Sequence, residues 1–156
     1  MYLNSIIETK LLYSDYQIWQ LYYYTHQFFD NDYPKEVLIE ADGRNFEEAF
    51  HKRIKRTKIQ KKYNSIKLLD ITVRYPFDPS DNQKLDDWKR KSVEYFSSVY
   101  GKENLLGATY HPIGTPHIHL AIIPVYRNRL SWSHYNQNSV RIPQYELEYL
   151  NAFLCG

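Results

Sequence analysis

The sequence predicts an α+β fold in which a central antiparallel sheet is flanked by helices. Three observations carry this expectation. Segments with strand-like and helix-like periodicity interleave along the chain, with no repeat, low-complexity tract or domain linker between them. Two of the best strand candidates are joined by a turn of only a few residues, a connection open to antiparallel neighbours. The 156 residues are 17% aromatic, enough for the one core expected of a single domain spanning 1–156.

Residues 3–13, LNSIIETKLLY, read as a first strand. At Ser14 the pattern S-D-Y-Q is a capping box, because Ser14 and Gln17 can satisfy each other's orphan amides. Ile18, Trp19, Tyr22, Tyr23, His26 and Phe29 then fall at helical spacing until DNDYP, where Pro34 disfavours helix at Tyr33. Residues 35–41 form a short strand closed by the Asp42-Gly43 turn signal. Asn45 with Glu48 opens a second helix through FEEAFHKRIKRTKIQKK. SIKLLDITVRYPF (65–77) is a strand rich in β-branched residues, and DPSDNQ after it is a loop.

A third helix, residues 84–100, places Leu85, Trp88, Val93, Phe96 and Tyr100 on one side, with Gly101 suited to its C-terminal cap. NLLGATYHPI and PHIHLAIIPVY are two strands joined around Gly114 to Pro116, and RLSWSHY adds a further strand. The last element, IPQYELEYLNAFL, is a helix with Pro143 in its first turn.

Bulk properties exclude several classes. A single cysteine, Cys155, rules out an internal disulfide or a thiolate metal cage and fits a reducing cytoplasm. The opening MYLNSIIETK lacks the pattern of a signal peptide, and no apolar run approaches ~18 residues, so a cytoplasmic protein without membrane contact is expected. A net charge of +2 does not by itself announce a nucleic-acid binder.

The chemistry concentrates in HPIGTPHIHLAIIPV (111–125), which holds three of the six histidines. Alternate strand residues share a face, so His117 and His119 point the same way about 7 Å apart. His111, on the preceding strand, can be brought beside them by the turn. Three neutral imidazoles converging from adjacent strands suit a divalent transition metal such as Mn²⁺, Zn²⁺ or Ni²⁺. Left without a ligand or partner, such a group would forfeit several hydrogen bonds.

HIHLAIIP shares two histidines and a proline with the histidine-triad nucleotide hydrolases, but Ala121 stands where they need a third histidine. The region from Trp88 to Val125 instead resembles the metal site of Pre/Mob (MobV-class) plasmid mobilisation relaxases, within the HUH endonuclease superfamily. The matching pieces are Tyr100-Gly101 with Asn104, His111, Thr115-Pro116-His117-Ile118-His119 and Pro124-Val125, followed by the basic turn RNRLSW.

The resemblance implies an HUH-endonuclease-like sheet and Mn²⁺ or Mg²⁺ on His111, His117 and His119. It further implies single-stranded or hairpin DNA at an origin site as partner, nicked and rejoined through a covalent protein–DNA intermediate. HPIGTPH is one residue shorter than the family's segment and lacks its acidic pair, which leaves open the placement of His111 and the source of the tuning an acid supplies.

Transesterification also needs an attacking side chain. In the relaxase order it precedes the metal motif and is a histidine, which points to His26. In the order of rolling-circle replication initiators it is a tyrosine on a later helix. There Tyr145 and Tyr149 lie four apart on one face. For DNA contacts, HKRIKRTKIQKK gathers Lys52, Arg53, Lys55, Arg56, Lys58, Lys61 and Lys62 into a surface able to track phosphates. The alternative from another class is a non-catalytic HUH-derived module that binds DNA without cutting it.

Overall fold

The computed structural model describes residues 7–26, 35–40, 46–57 and 65–137. The expected terminal helix with Tyr145 and Tyr149, the Asn45 helix start, and Lys58, Lys61 and Lys62 lie outside the described residues. Among the described residues, no helix is long and apolar enough to cross a membrane.

Five strands form one sheet: β1 (Ile7–Leu12), β2 (Glu36–Glu40), β3 (Leu68–Arg74), β4 (Leu105–His111) and β5 (His117–Ile122). Their order is β1-β3-β5-β4-β2 and every pairing is antiparallel. The expected α+β class with a central antiparallel sheet is what the chain adopts.

Strands β3 and β5 are both interior, flanked by a paired strand on each side, and their apolar residues are buried. On one face Leu69, Ile71 and Val73 of β3 meet Ile118, Leu120 and Ile122 of β5, and α3 (Asn82–Tyr100) closes this core with Leu85, Trp88, Phe96 and Tyr100. On the other face the strands change character along their length. Leu68, Leu106, Ala121 and Ile123 are packed by α1 (Asp15–Leu21) and α2 (Phe46–Lys55), through Ile18, Leu21, Ala49 and Phe50. Beyond that apolar half, the same face presents Thr72, Thr109, His119, His117 and His111.

Local chemistry sets the element ends. At α1 the capping box forms as expected, with the Gln17 amide donating to Ser14 Oγ and the Ser14 amide to Gln17 Oε1. The helix does not continue regularly, however, because Tyr22–His26 form a π-turn. This wider turn divides the aromatic stripe: Ile18, Tyr22 and His26 go inward, whereas Trp19 stays 41% exposed. Helix α3 starts at Asn82, inside the stretch expected to be loop, because Asp81 accepts from the Lys84 amide and caps it there. It ends at Gly101, whose φ of +93° an L side chain rarely adopts.

The RLSWSHY segment differs from expectation. Only Arg129–Leu130 (β7) are extended, paired with Val125–Tyr126 (β6) across Arg127 and Asn128, both at positive φ as a type I′ turn requires. Trp132–Gln137 then form α4 instead of continuing the strand. Its Tyr135 is buried and donates to the carbonyl of Val125 at 2.7 Å, an anchor that an extended continuation would carry away.

Beside Tyr135 lies Asn104, 1% exposed, whose amide nitrogen donates to the carbonyls of Tyr100 and Val125 at 2.7 Å each. Its Oδ1 accepts from Arg53 Nη2 at 3.0 Å and Nε at 3.3 Å. Asn104 therefore ties α3, β6 and α2 together.

Candidate metal centre

Register places the three histidines. His117 is paired across the ladder with His111, and His119 with Thr109 on one side and Thr72 on the other. Gly114, at φ +75° with no atom near its missing Cβ, permits the short turn that holds β4 and β5 in this register. The ring centroids of His111, His117 and His119 form a nearly equilateral triangle with sides of 5.0, 5.1 and 5.1 Å. One nitrogen from each lies within 4.8 Å of the other two. The triad expected from the sequence is assembled, His111 included.

The other ring nitrogens explain the orientation. His117 Nδ1 donates to the carbonyl of Thr115 at 2.8 Å, which directs its Nε2 into the cluster. His119 Nδ1 meets Asp70 Oδ1 at 2.9 Å and Thr72 Oγ1 at 3.2 Å. His111 is bonded by the backbone of Thr25, while its Nε2 is buried with no hydrogen-bond partner among the described residues. Burying such an atom unsatisfied costs about 1–3 kcal/mol, a cost that coordination would remove.

A divalent cation fits this donor set. Burial, then His119 and His117, pushes His111 down to about 4, and burial foremost also lowers His117 below its ordinary value. His111 and His117 are thereby biased towards the neutral imidazole, the form that binds metal.

Asp70 and Thr72 were not singled out in the sequence, yet they orient His119. The signal was present: in LLDITVR, Asp70, Thr72 and Arg74 alternate with Leu69, Ile71 and Val73, the same period that exposes the histidine pair. Asp70, 6% exposed, sets a carboxylate against His119 from a different strand. Arg74 stands opposite His117, ion-paired with Glu8 at 3.3 Å.

His26 reaches the same place from the π-turn. It is 7% exposed, its Nδ1 lies 2.8 Å from Thr109 Oγ1, and its ring centroid is 6.3 Å from that of His119. Burial, then the proximity of His119, His111 and Lys35, holds it well below the usual histidine range, so it is neutral near pH 7.

The basic run is more divided. Lys55 and Arg56 are exposed and Lys52 is half-buried, at the end of the α2 segment that covers the apolar half of the histidine-bearing face. The Arg53 guanidinium is engaged with Asn104, a tie within the fold.

A three-histidine cluster thus lies on an antiparallel sheet, with a buried fourth histidine beside it. No family model matches the chain. Two curated proteins called "Plasmid recombination enzyme type 3", from Staphylococcus aureus and Mammaliicoccus lentus, are each 32% identical to it over 95 residues. The match covers 56% of this chain and 23% of theirs, so the chain spans under a quarter of the curated relatives it matches.

Among solved structures, the Mn-bound MobM relaxase domain (MOBV; Mob_Pre) with 23-nucleotide oriT DNA of plasmid pMV158 superimposes with a TM-score of 0.66 at 12% identity. That match covers 94% of this chain and 83% of the MobM chain. A 22-nucleotide complex gives 0.65 at 13% identity, over 92% and 87%. The relaxase fold is thereby established, and the resemblance to Pre/Mob relaxases read from the histidine motif holds.

Proposed function

We propose that the chain is a metal-dependent single-stranded DNA endonuclease that nicks and rejoins DNA at an origin site through a covalent histidine–DNA intermediate, in plasmid mobilisation or recombination. The observation that carries this reading is His26. An N-terminal histidine, distant in sequence, is held beside the three-histidine cluster by a hydrogen bond to Thr109, and burial foremost keeps it neutral. MobM relaxase domains of the same fold are solved with Mn and oriT DNA, which supports both cofactor and substrate.

The roles follow from the geometry. His111, His117 and His119 would hold Mn²⁺ or Mg²⁺, whose charge would polarise the scissile phosphate. Asp70 and Thr115 fix the tautomers of His119 and His117, so that their Nε2 lone pairs face inward. With Thr109 engaging Nδ1, the Nε2 lone pair of His26 is the atom that attacks phosphorus in line. One P–N bond forms and one P–O ester bond breaks, with the departing ribose oxygen taking up a proton. Rejoining is the reverse, the freed hydroxyl displacing the imidazole.

The test is incubation with Mn²⁺ and single-stranded oriT-type oligonucleotides, beside a variant carrying His117→Ala and His119→Ala. Cleavage by the native protein and its loss in the variant are expected. Cleavage that survives in the variant would overturn the role of the histidine metal site, and intact DNA bound equally by both would overturn the catalytic reading and leave a binding module.

A further inference from the structure

The outer side of α1 and the π-turn carries a patch that the metal site does not use. Tyr16 is 66% exposed, Trp19 41% and Tyr24 72%. They are contiguous: Trp19 stacks on Tyr16 with centroids 6.2 Å apart, tilts against Tyr23 at 4.7 Å and meets Tyr24 edge-on at 6.3 Å. Tyr13, just before the helix, is also 43% exposed. Every large apolar side chain exposed in this segment is aromatic and none is aliphatic. Such a surface offers π-faces with polar tips, which suits stacking better than the packing of a second apolar core.

Its position relates it to the candidate site. The π-turn has two sides: the Thr25 backbone bonds His111 and His26 lies against His119, whereas Tyr24 projects to solvent. Tyr24 and His26 are two residues apart, so their Cα atoms are separated by at most about 7 Å. Lys35 sits between the two regions. Its Nζ donates to the Tyr24 carbonyl at 3.2 Å, and its charge is close enough to act on both His26 and His111. A cation there is placed for a phosphate passing from the aromatic patch towards the histidines.

We infer that Tyr16, Trp19 and Tyr24 form a base-stacking platform for single-stranded DNA, holding unpaired nucleobases a few nucleotides from the phosphate at the metal site. This deepens the DNA-nicking reading and rests on it. Stacking engages the faces that all bases share, so the platform would add affinity with little sequence preference. It would also fix the direction in which the strand leaves His26.

The experiment measures binding of a fluorescent single-stranded 22-mer, in Mn²⁺, to the native protein and to a Tyr16→Ala, Trp19→Ala, Tyr24→Ala variant. The same 22-mer with abasic sites in three consecutive positions, moved along the strand, is the second probe. Loss of one stacked base costs ~1–3 kcal/mol, which converts to about fivefold or more in Kd. At least that weakening is expected in the variant. The abasic block should weaken the native protein at one position and leave the variant unaffected.

Trp19→Phe, which keeps an aromatic face, should retain most of the affinity and serves as the control for structural damage. Native protein that binds the 22-mer with the same Kd as the triple variant would overturn the platform alone. Native protein that binds no single-stranded DNA would overturn the DNA-nicking reading and the platform with it. An unchanged Kd together with loss of a dimer in sedimentation would reassign the patch to contact between copies of the chain.

Discussion

Substituting Asp70 by Asn removes one charge while keeping the side chain's shape, and its effect can be worked from the contacts of His119. Asp70 Oδ1 is 2.9 Å from His119 Nδ1 and the residue is 6% exposed, so the interaction is poorly screened by water. The carboxylate selects the tautomer with hydrogen on Nδ1 and so leaves the Nε2 lone pair facing the cluster. Losing such an outer partner lowers metal affinity about 10–100-fold, equivalent to about 1.4–2.7 kcal/mol.

Asn retains a carbonyl acceptor, and Thr72 Oγ1 remains 3.2 Å from the same nitrogen. Asp70→Asn is therefore expected near the tenfold end and Asp70→Ala nearer the hundredfold end. Metal-free stability of the Asn variant should stay within about 1 kcal/mol of native, since a hydrogen bond is preserved. Calorimetric titration of Mn²⁺ near pH 7.5, beside thermal melts in chelator, separates the two quantities. Equal Mn²⁺ affinity in native and Asp70→Ala proteins would refute the reasoning. So would a loss of affinity matched by a collapse of metal-free stability, which would make Asp70 a structural residue only.

Other outcomes follow from the same contacts. His111 is lowered from 6.5 to about 4, so between those values the unfolded chain binds more protons than the folded one. Metal-free stability should accordingly be level above pH 6.5 and fall as pH drops towards 4. The ceiling from this group is ~3 kcal/mol, about half of that after allowing for its partial exposure, readable by urea unfolding across pH. Mn²⁺ at about a hundred times its Kd should add about 2.7 kcal/mol near neutral pH, and chelation should remove it. Asn104→Ala removes one donor from each of two buried carbonyls, which keep the Tyr135 hydroxyl, and takes the Asn104 acceptor from the Arg53 guanidinium; it should destabilise by about 1–3 kcal/mol in urea without changing which metal is bound.

The histidine cluster was legible because strand geometry has a period of two, and three histidines in one hairpin need only a short turn to meet. The apolar half of the same face, Ala121 and Ile123 continuing the line of His117 and His119, follows from the same period. Asp70 was not legible in this way. Its contact with His119 depends on the β3–β5 register, set across 49 residues by packing on both faces of the sheet.

The π-turn was hidden for another reason. Tyr22 and His26 keep i, i+4 spacing whether the turn is α or π, so spacing alone cannot show that Trp19 is left outside. In RLSWSHY the strand-like composition was overridden by one tertiary contact, the buried Tyr135 hydroxyl.

The most direct test of the central claim is to identify the residue joined to DNA. Native protein is reacted with Mn²⁺ and single-stranded oriT-type DNA, digested under neutral conditions, and the adducted peptide is read by mass spectrometry. The account predicts DNA on His26 through a P–N bond that acid cleaves, and no adduct from His26→Ala although it still binds the oligonucleotide. An acid-stable adduct on Tyr145 or Tyr149, or cleavage undiminished in His26→Ala, would contradict it.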